Sequence, residues 1–305
     1  MAKKLKNIKP LVIGIGVAGR RHLEAQLNLG FKTGVFTNNP QTAKSLREKN
    51  NVIVFDNLEE GIDWSNLVHV CTPDDKHTEF VAKAAKLGKA VLCEKAFTTK
   101  YNDALYLRKL AHEHGATVIV GQNYRLTPTF LETKKRVSEG QLGKINYIET
   151  TYFHDNGDYK RRYPNANFLY MGGSHAVDLA CWIAGEQIIS VKASSSENIL
   201  SYQITVKFSS GLIGNIKLDA SSPRSISGTD LIVSGEKGKL ASNNNVGEIN
   251  NKTLTIPIEI RIVDDYLSGK LTSFSPLPGV DEAVNTIKIL DTIARSVSSD
   301  RDKNV

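Results

Sequence analysis

From residue 10 to about 122, short apolar runs recur at 11–15, 34–37, 52–55, 67–71, 90–93 and 117–120, each followed by apolar positions at helical spacing. Such runs, bounded by Gly, Pro and Asn, read as buried strands, and their alternation with helices predicts an α/β fold with a doubly wound parallel sheet. After Arg125 the pattern changes. A helix is expected over 129–140 and an alternating strand over 144–154, then a polar, aromatic stretch over 155–164. A helix from about 173 to 184 places His175, Asp178, Leu179 and Trp182 at three-and-four spacing on one face, with His175 at its start. Runs at 188–193, 202–208, 212–218, 231–233 and 254–260 predict a large, mostly antiparallel sheet with one covered face. A final amphipathic helix over 282–297 carries Ala283, Val284, Ile287, Leu290 and Ile293, and the tail beyond Ser298 is expected to fray.

The first strand runs into Gly14-Ile15-Gly16-Val17-Ala18-Gly19 and then a helix. The first glycine permits a tight turn, the second lets backbone amides approach a pyrophosphate, and the third allows close helix packing. In that setting the motif predicts a Rossmann-type dinucleotide-binding domain over 1–122, followed by an α+β domain over 123–305. At the end of the second strand, Thr37-Asn38-Asn39 stands where an acid would bind the adenosine ribose. Hydroxyl and amide groups accommodate a ribose phosphate better than a carboxylate does, so NADP is favoured over NAD.

Composition adds limits. The chain has 305 residues, 40% of them hydrophobic, and a net charge of +7 without a basic stripe interleaved with aromatics, so no nucleic-acid partner is expected. The three cysteines, Cys71, Cys93 and Cys181, lie in apolar surroundings without metal-ligand spacing, which predicts free thiols, no metal and a reducing, cytoplasmic setting. The lysine-rich leader before residues 11–17 is read as preceding a strand rather than a signal peptide, and no apolar segment reaches the ~20 residues of a membrane span.

Two further stretches carry candidate chemistry. Cys71-Thr72-Pro73 ends a strand ahead of His77, and Val91-Leu92-Cys93-Glu94-Lys95 is an apolar run that stops at a carboxylate and an ammonium. Ligands of open α/β sheets bind beyond the carboxyl ends of the strands, within reach of such a lysine. With these in place the chain resembles the glucose-fructose oxidoreductase and inositol dehydrogenase (Gfo/Idh/MocA) family. The glycine motif with His22, the Thr-Pro loop with His77, Leu92-Cys93-Glu94-Lys95-Ala96, Gly121-Gln122-Asn123-Tyr124-Arg125 and Gly172-Gly173-Ser174-His175-Ala176-Val177-Asp178 each resemble a family motif. Two positions depart from it: Ala96 replaces the proline of Glu-Lys-Pro, and Met171 replaces an Asp four residues before the helix His.

The resemblance implies an NAD(P)-dependent oxidoreductase acting on a CH–OH group of a sugar, polyol or nucleotide-sugar. Lys95 and His175 are then the expected catalytic pair, and Asp178 would orient His175. Gly14, Gly16, Val17, Ala18, Gly19, Thr37, Asn38, Asn39, Cys71, Thr72, Pro73, His77, Glu94 and Lys95 would meet the cofactor. Lys95, Asn123, Arg125, His154, Tyr159, Arg162, Met171 and His175 would meet the substrate. A homodimer or homotetramer through the second sheet is implied, and no membrane partner. The alternatives are a glycoside-cleaving enzyme that oxidises its substrate transiently through bound NAD, and a nucleotide-binding sensor without catalysis.

Overall fold

The computed structural model describes residues 7–157, 167–221, 227–244, 251–299 and 302–305, the side chains of 251–254 excepted. It divides into two compact units, Met1–Asn123 with Lys252–Val284, and Tyr124–Asn251 with Asn285–Val305.

In the first unit, six parallel strands lie in the order β3-β2-β1-β4-β5-β6. They are β1 (Pro10–Ile13), β2 (Thr33–Phe36), β3 (Val52–Phe55), β4 (Leu67–Val70), β5 (Ala90–Glu94) and β6 (Val118–Gly121). Helices α1 (Val17–Asn28), α2 (Pro40–Arg47), α3 (Leu58–Trp64), α4 (His77–Lys86) and α5 (Tyr101–His114) alternate with them. Strands β1, β4, β5 and β6 are buried at every position, as a sheet covered on both faces requires, whereas β3, at the edge opposite β6, is only half-buried. Leu11, Leu67 and Leu92 are fully enclosed, each contributing roughly 1.5–3 kcal/mol through burial. The turn helices Asp74–Lys76 and Asn123–Leu126 follow β4 and β6.

The second unit carries α6 (Pro128–Ser138), α7 (Phe168–Ala184) and a seven-stranded mixed sheet in the order β12-β11-β7-β10-β9-β8-β13. Its strands are β7 (Ile145–Phe153), β8 (Ile188–Ser195), β9 (Ser201–Phe208), β10 (Ile213–Asp219), β11 (Gly228–Gly235), β12 (Gly238–Asn243) and β13 (Lys303–Asn304). Pairing is antiparallel except between β7 and β10. Alternate burial along β9 marks one covered face, and α7 packs on β7 and β10.

Four expectations are corrected. The strand expected at 254–260 belongs to helix α8 (Asn251–Leu267). Ile256, Ile258 and Ile260 alternate like a strand, but the buried positions Ile256, Glu259, Ile260, Val263 and Leu267 follow helical spacing. The second half is not one continuous domain, because residues 252–284 belong to the first unit: Val120 N donates to Pro278 O, and Asn123 Nδ2 to Thr255 Oγ1. The described end of the tail is ordered rather than frayed, since β13 pairs with β8 through backbone groups that side-chain patterns do not report. Finally, the helix holding His175 starts at Phe168, five residues before the expected start at 173; Asn167 caps it by accepting from Leu169 N. Helix α9 (Val280–Ser299) matches its expected position.

Candidate active site

The residues expected to meet a cofactor lie at the carboxyl ends of β1, β2, β4 and β5. Gly14 adopts φ +85°, favourable only without a side chain, and its N–H donates to Phe36 O at 3.0 Å. A Cβ on Gly19 would stand 1.9 Å from Gly14 O, so the helix approaches the turn as closely as it does only because residue 19 is glycine. Gly16 caps α1 without a side chain, and no heavy atom comes within 4 Å of where its Cβ would be. Val17 is 68% exposed and Ala18 half-buried. The first turn of α1 thus presents its unpaired amides to an open space suited to an anion.

At the end of β2, Asn39 caps α2 by accepting from Thr42 N at 2.9 Å, while Thr37 Oγ1 accepts from Asn39 N; Asn38 is exposed. At the end of β4, buried Cys71 donates its N–H to Ile13 O, and Thr72 Oγ1 is buried without a hydrogen-bond partner among the described residues. Pro73 precedes the turn that brings in His77. The His77 ring is buried, with Nδ1 2.7 Å from Ala96 O and Nε2 3.0 Å from Thr72 O. Carbonyl oxygens only accept, so the ring donates to one of them when neutral and to both when protonated. His77 therefore ties the loop after β4 to the segment after β5. Glu94 ends β5, Lys95 is half-buried, and the Lys95–Ala96 peptide is cis although residue 96 is not proline. The glycine-shaped turn, the open amides of α1 and the unsatisfied Thr72 hydroxyl fit a dinucleotide lying along these strand ends.

In the second unit His175 lies in the third turn of α7, not at the helix start. It is buried and stacks on Tyr124 at 4.1 Å and 15°, with Tyr152 on β7 at 6.0 Å and 22°. Burial pushes the Tyr124 phenol up to about 12, so it remains protonated at neutral pH. Met171, one turn before His175, accepts from the Tyr152 hydroxyl at its sulfur, 3.5 Å away. Gly172 explains why the helix extends past the two glycines: a Cβ there would lie 2.6 Å from the Tyr152 ring. The Gly172-Gly173 pair, which reads as a helix boundary, is instead a packing surface within it.

Asp178 accepts from Arg125 Nε and Nη2, both at 2.8 Å, in an ion pair buried on both sides, and Arg125 also lies over the Trp182 ring. Asp178, expected to orient His175, is engaged by this bidentate pair, a strong claim on a buried carboxylate. Leu179 is fully buried and Trp182 half-buried. His154 is buried after β7, with Nδ1 3.1 Å from Asp155 O, and Asn123 in the first unit donates to Thr255. Tyr159 and Arg162 lie outside the described residues. Sequence pattern does not mark Tyr124 or Tyr152 as site residues: Tyr124 lies inside the Gly121–Arg125 motif, but nothing in the pattern tells which ring faces His175.

Among the described residues there is no cluster of His, Cys, Asp or Glu able to hold a metal, and no helix long and apolar enough to cross a membrane. Two family models match, an oxidoreductase family with an NAD-binding Rossmann fold over residues 8–122 and a GFO/IDH/MocA C-terminal domain over 130–241. An uncharacterized oxidoreductase of Schizosaccharomyces pombe is 34% identical over 143 residues, 44% of this chain and 39% of its own length. The scyllo-inositol 2-dehydrogenase (NAD(+)) of Bacillus subtilis is 26% identical over 240 residues, 72% of this chain and 62% of its own. The chain thus spans well under two thirds of the first curated relatives it matches, 39% and 42% for the two from S. pombe. The crystal structure of myo-inositol 2-dehydrogenase from Lactobacillus plantarum superposes with a TM-score of 0.86 at 18% identity, covering 98% of this chain and 100% of that one, which establishes the shared fold.

Proposed function

The chain belongs to the Gfo/Idh/MocA oxidoreductase family, and from that premise we propose that it is an NAD(P)-dependent oxidoreductase acting on a CH–OH carbon of a sugar, polyol or nucleotide-sugar. The observation that carries this reading is the convergence of the glycine turn, the Thr72 hydroxyl, the His77-held loop and Lys95 on one edge of one parallel sheet. The dehydrogenase of B. subtilis named for scyllo-inositol supports a cyclic polyol as substrate class.

Gly14, Gly16, Val17, Ala18 and Gly19 would hold the pyrophosphate, Thr37, Asn38 and Asn39 the adenosine ribose, and Cys71, Thr72, Pro73, His77 and Glu94 the remaining cofactor edge. Bound, the nicotinamide supplies the hydride chemistry. Lys95 hydrogen-bonds the reacting oxygen and polarises it, and the His175 imidazole, a group whose ordinary pKa lies near neutrality, gives or takes the proton. Asn123, Arg125, His154, Tyr159, Arg162 and Met171 are candidate substrate contacts, with Arg125 held in place by Asp178. The missing acid after β2 favours NADP over NAD, with Thr37 and Asn38 as the groups nearest a ribose phosphate. A homodimer or homotetramer through the open face of the second sheet and a cytoplasmic location complete the reading.

Titration of the chain with NADH and NADPH, followed by a screen of inositols, hexoses and nucleotide-sugars at the nicotinamide absorbance, tests it. Cofactor reduced one for one with substrate oxidised is expected. Absence of binding by either nucleotide would overturn the reading. Glycoside cleavage without net absorbance change would replace it with the glycosidase alternative.

A further inference from the structure

Beneath the Glu94–Lys95 strand end lies a line of buried polar side chains that the proposed chemistry does not use. His22 and Gln26, one turn apart on α1, face His69 in the middle of β4, and all three are completely buried. His22 Nε2 meets Glu94 Oε1 at 3.3 Å and His22 Nδ1 meets His69 Nδ1 at 3.0 Å. Gln26 Nε2 meets His69 Nε2 at 3.1 Å and Asp264 Oδ1 of α8 at 3.5 Å. All five residues belong to the first unit.

We propose that Asp264, Gln26, His69 and His22 form a hydrogen-bond relay with a single direction that holds Glu94, making them positioning residues for the Glu94–Lys95 strand end, a role that rests on the oxidoreductase reading of that end. The direction follows from donor and acceptor chemistry. Ionised Asp264 only accepts, so it keeps the Gln26 amide nitrogen, not the oxygen, toward itself and toward His69. His69 Nε2 must then accept, which puts the His69 proton on Nδ1. That N–H donates to His22 Nδ1, which places the His22 proton on Nε2, where it donates to Glu94. From Gln26 onward each donor points to the strand end, while the other Gln26 N–H points back to Asp264, which anchors the direction.

Two electrostatic features agree with this polarity. Burial, with His22 adding to it, holds His69 well below the usual imidazole range, so it is the neutral ring the relay needs. Burial pushes Asp264 up to about 7; the Gln26 amide opposes this, Asp265 adds to it and Lys270 opposes it. Protonated Asp264 can donate as well as accept, so the Gln26 amide can turn and the relay loses its single direction.

The test is nitrogen-15 spectroscopy of the histidine-labelled full chain without cofactor, which reports which ring nitrogen carries each proton. At pH 8 His69 is expected on Nδ1 and His22 on Nε2, with both signals changing together near pH 7. Asp264→Asn should remove that joint inflection. Either proton on the opposite nitrogen in the unaltered chain overturns the relay, whether or not any variant folds. For the functional role, Gln26→Met should move the acid limb of the kcat/KM profile to higher pH, because a carboxylate that loses a donor protonates more readily. A profile that does not move overturns the positioning role. Failure of the oxidoreductase reading registers separately, as absent NAD(P)H binding with the histidine protons still as expected; this removes the role at the strand end and leaves the direction standing.

Discussion

The two units hold their candidate catalytic groups by different means. In the first, Lys95 follows a strand whose place is set by sheet register, Glu94 pairing with Gly121 on β6, and the neighbouring nucleotide turn is shaped by glycines and backbone amides. In the second, His175 is held by side chains, with Tyr124 and Tyr152 against its ring, Met171 holding the Tyr152 hydroxyl, and the Arg125–Asp178 pair pinning the next turn of α7. A backbone-built site tolerates exchange of most neighbours and fails at its glycines. A site built from packed side chains is adjustable, and the replacement of an expected acid by Met171 falls in that part.

The contrast can be broken first at Gly19→Ala, where the added methyl would meet Gly14 O at 1.9 Å. Backbone cannot yield there, so the variant should lose nucleotide binding altogether or fail to accumulate folded, as read by titration and circular dichroism. Asp178→Asn should cost about 3 kcal/mol in urea unfolding, because it leaves the Arg125 guanidinium buried without its counter-charge. Gly172→Ala, which crowds the Tyr152 ring, should cost about 2 kcal/mol and depress turnover more than cofactor affinity, since its effect reaches His175 and not the glycine turn.

A smaller effect concerns pH. Asp264 titrates near 7 in the fold against 3.8 ordinarily, raised chiefly by burial. The folded state therefore keeps a proton that the unfolded chain releases, and stability falls as pH rises from about 4 to 7 and is level above that. Asp264→Asn should flatten this slope, gaining on the parent as pH rises from 5 to 7. Parallel slopes would mean that Asp264 is not the buried acid responsible.

Much of the first unit was legible because period and punctuation coincide: each short apolar run is a parallel strand, and Gly14, Gly16 and Gly19 sit where an alternating unit needs them. The second sheet was legible in most strands, but α8 was read as a strand because Ile256, Ile258 and Ile260 mimic a two-residue period. The start of α7 was missed because glycines signal a boundary unless one knows that an aromatic ring fills the space they leave. Lys95 and His175 were readable as motif residues, whereas the Arg125–Asp178 pair and the His22–His69 contact join residues 53 and 47 positions apart, distances that no local pattern spans.

The claim that Lys95 handles the reacting oxygen is tested most directly by comparing Lys95→Met with the parent chain for NAD(P)H affinity and for turnover of the best polyol or sugar. Nearly unchanged affinity with turnover reduced by ~100-fold or more is expected from loss of acid-base assistance. Undiminished turnover would contradict the account and remove Lys95 from the mechanism.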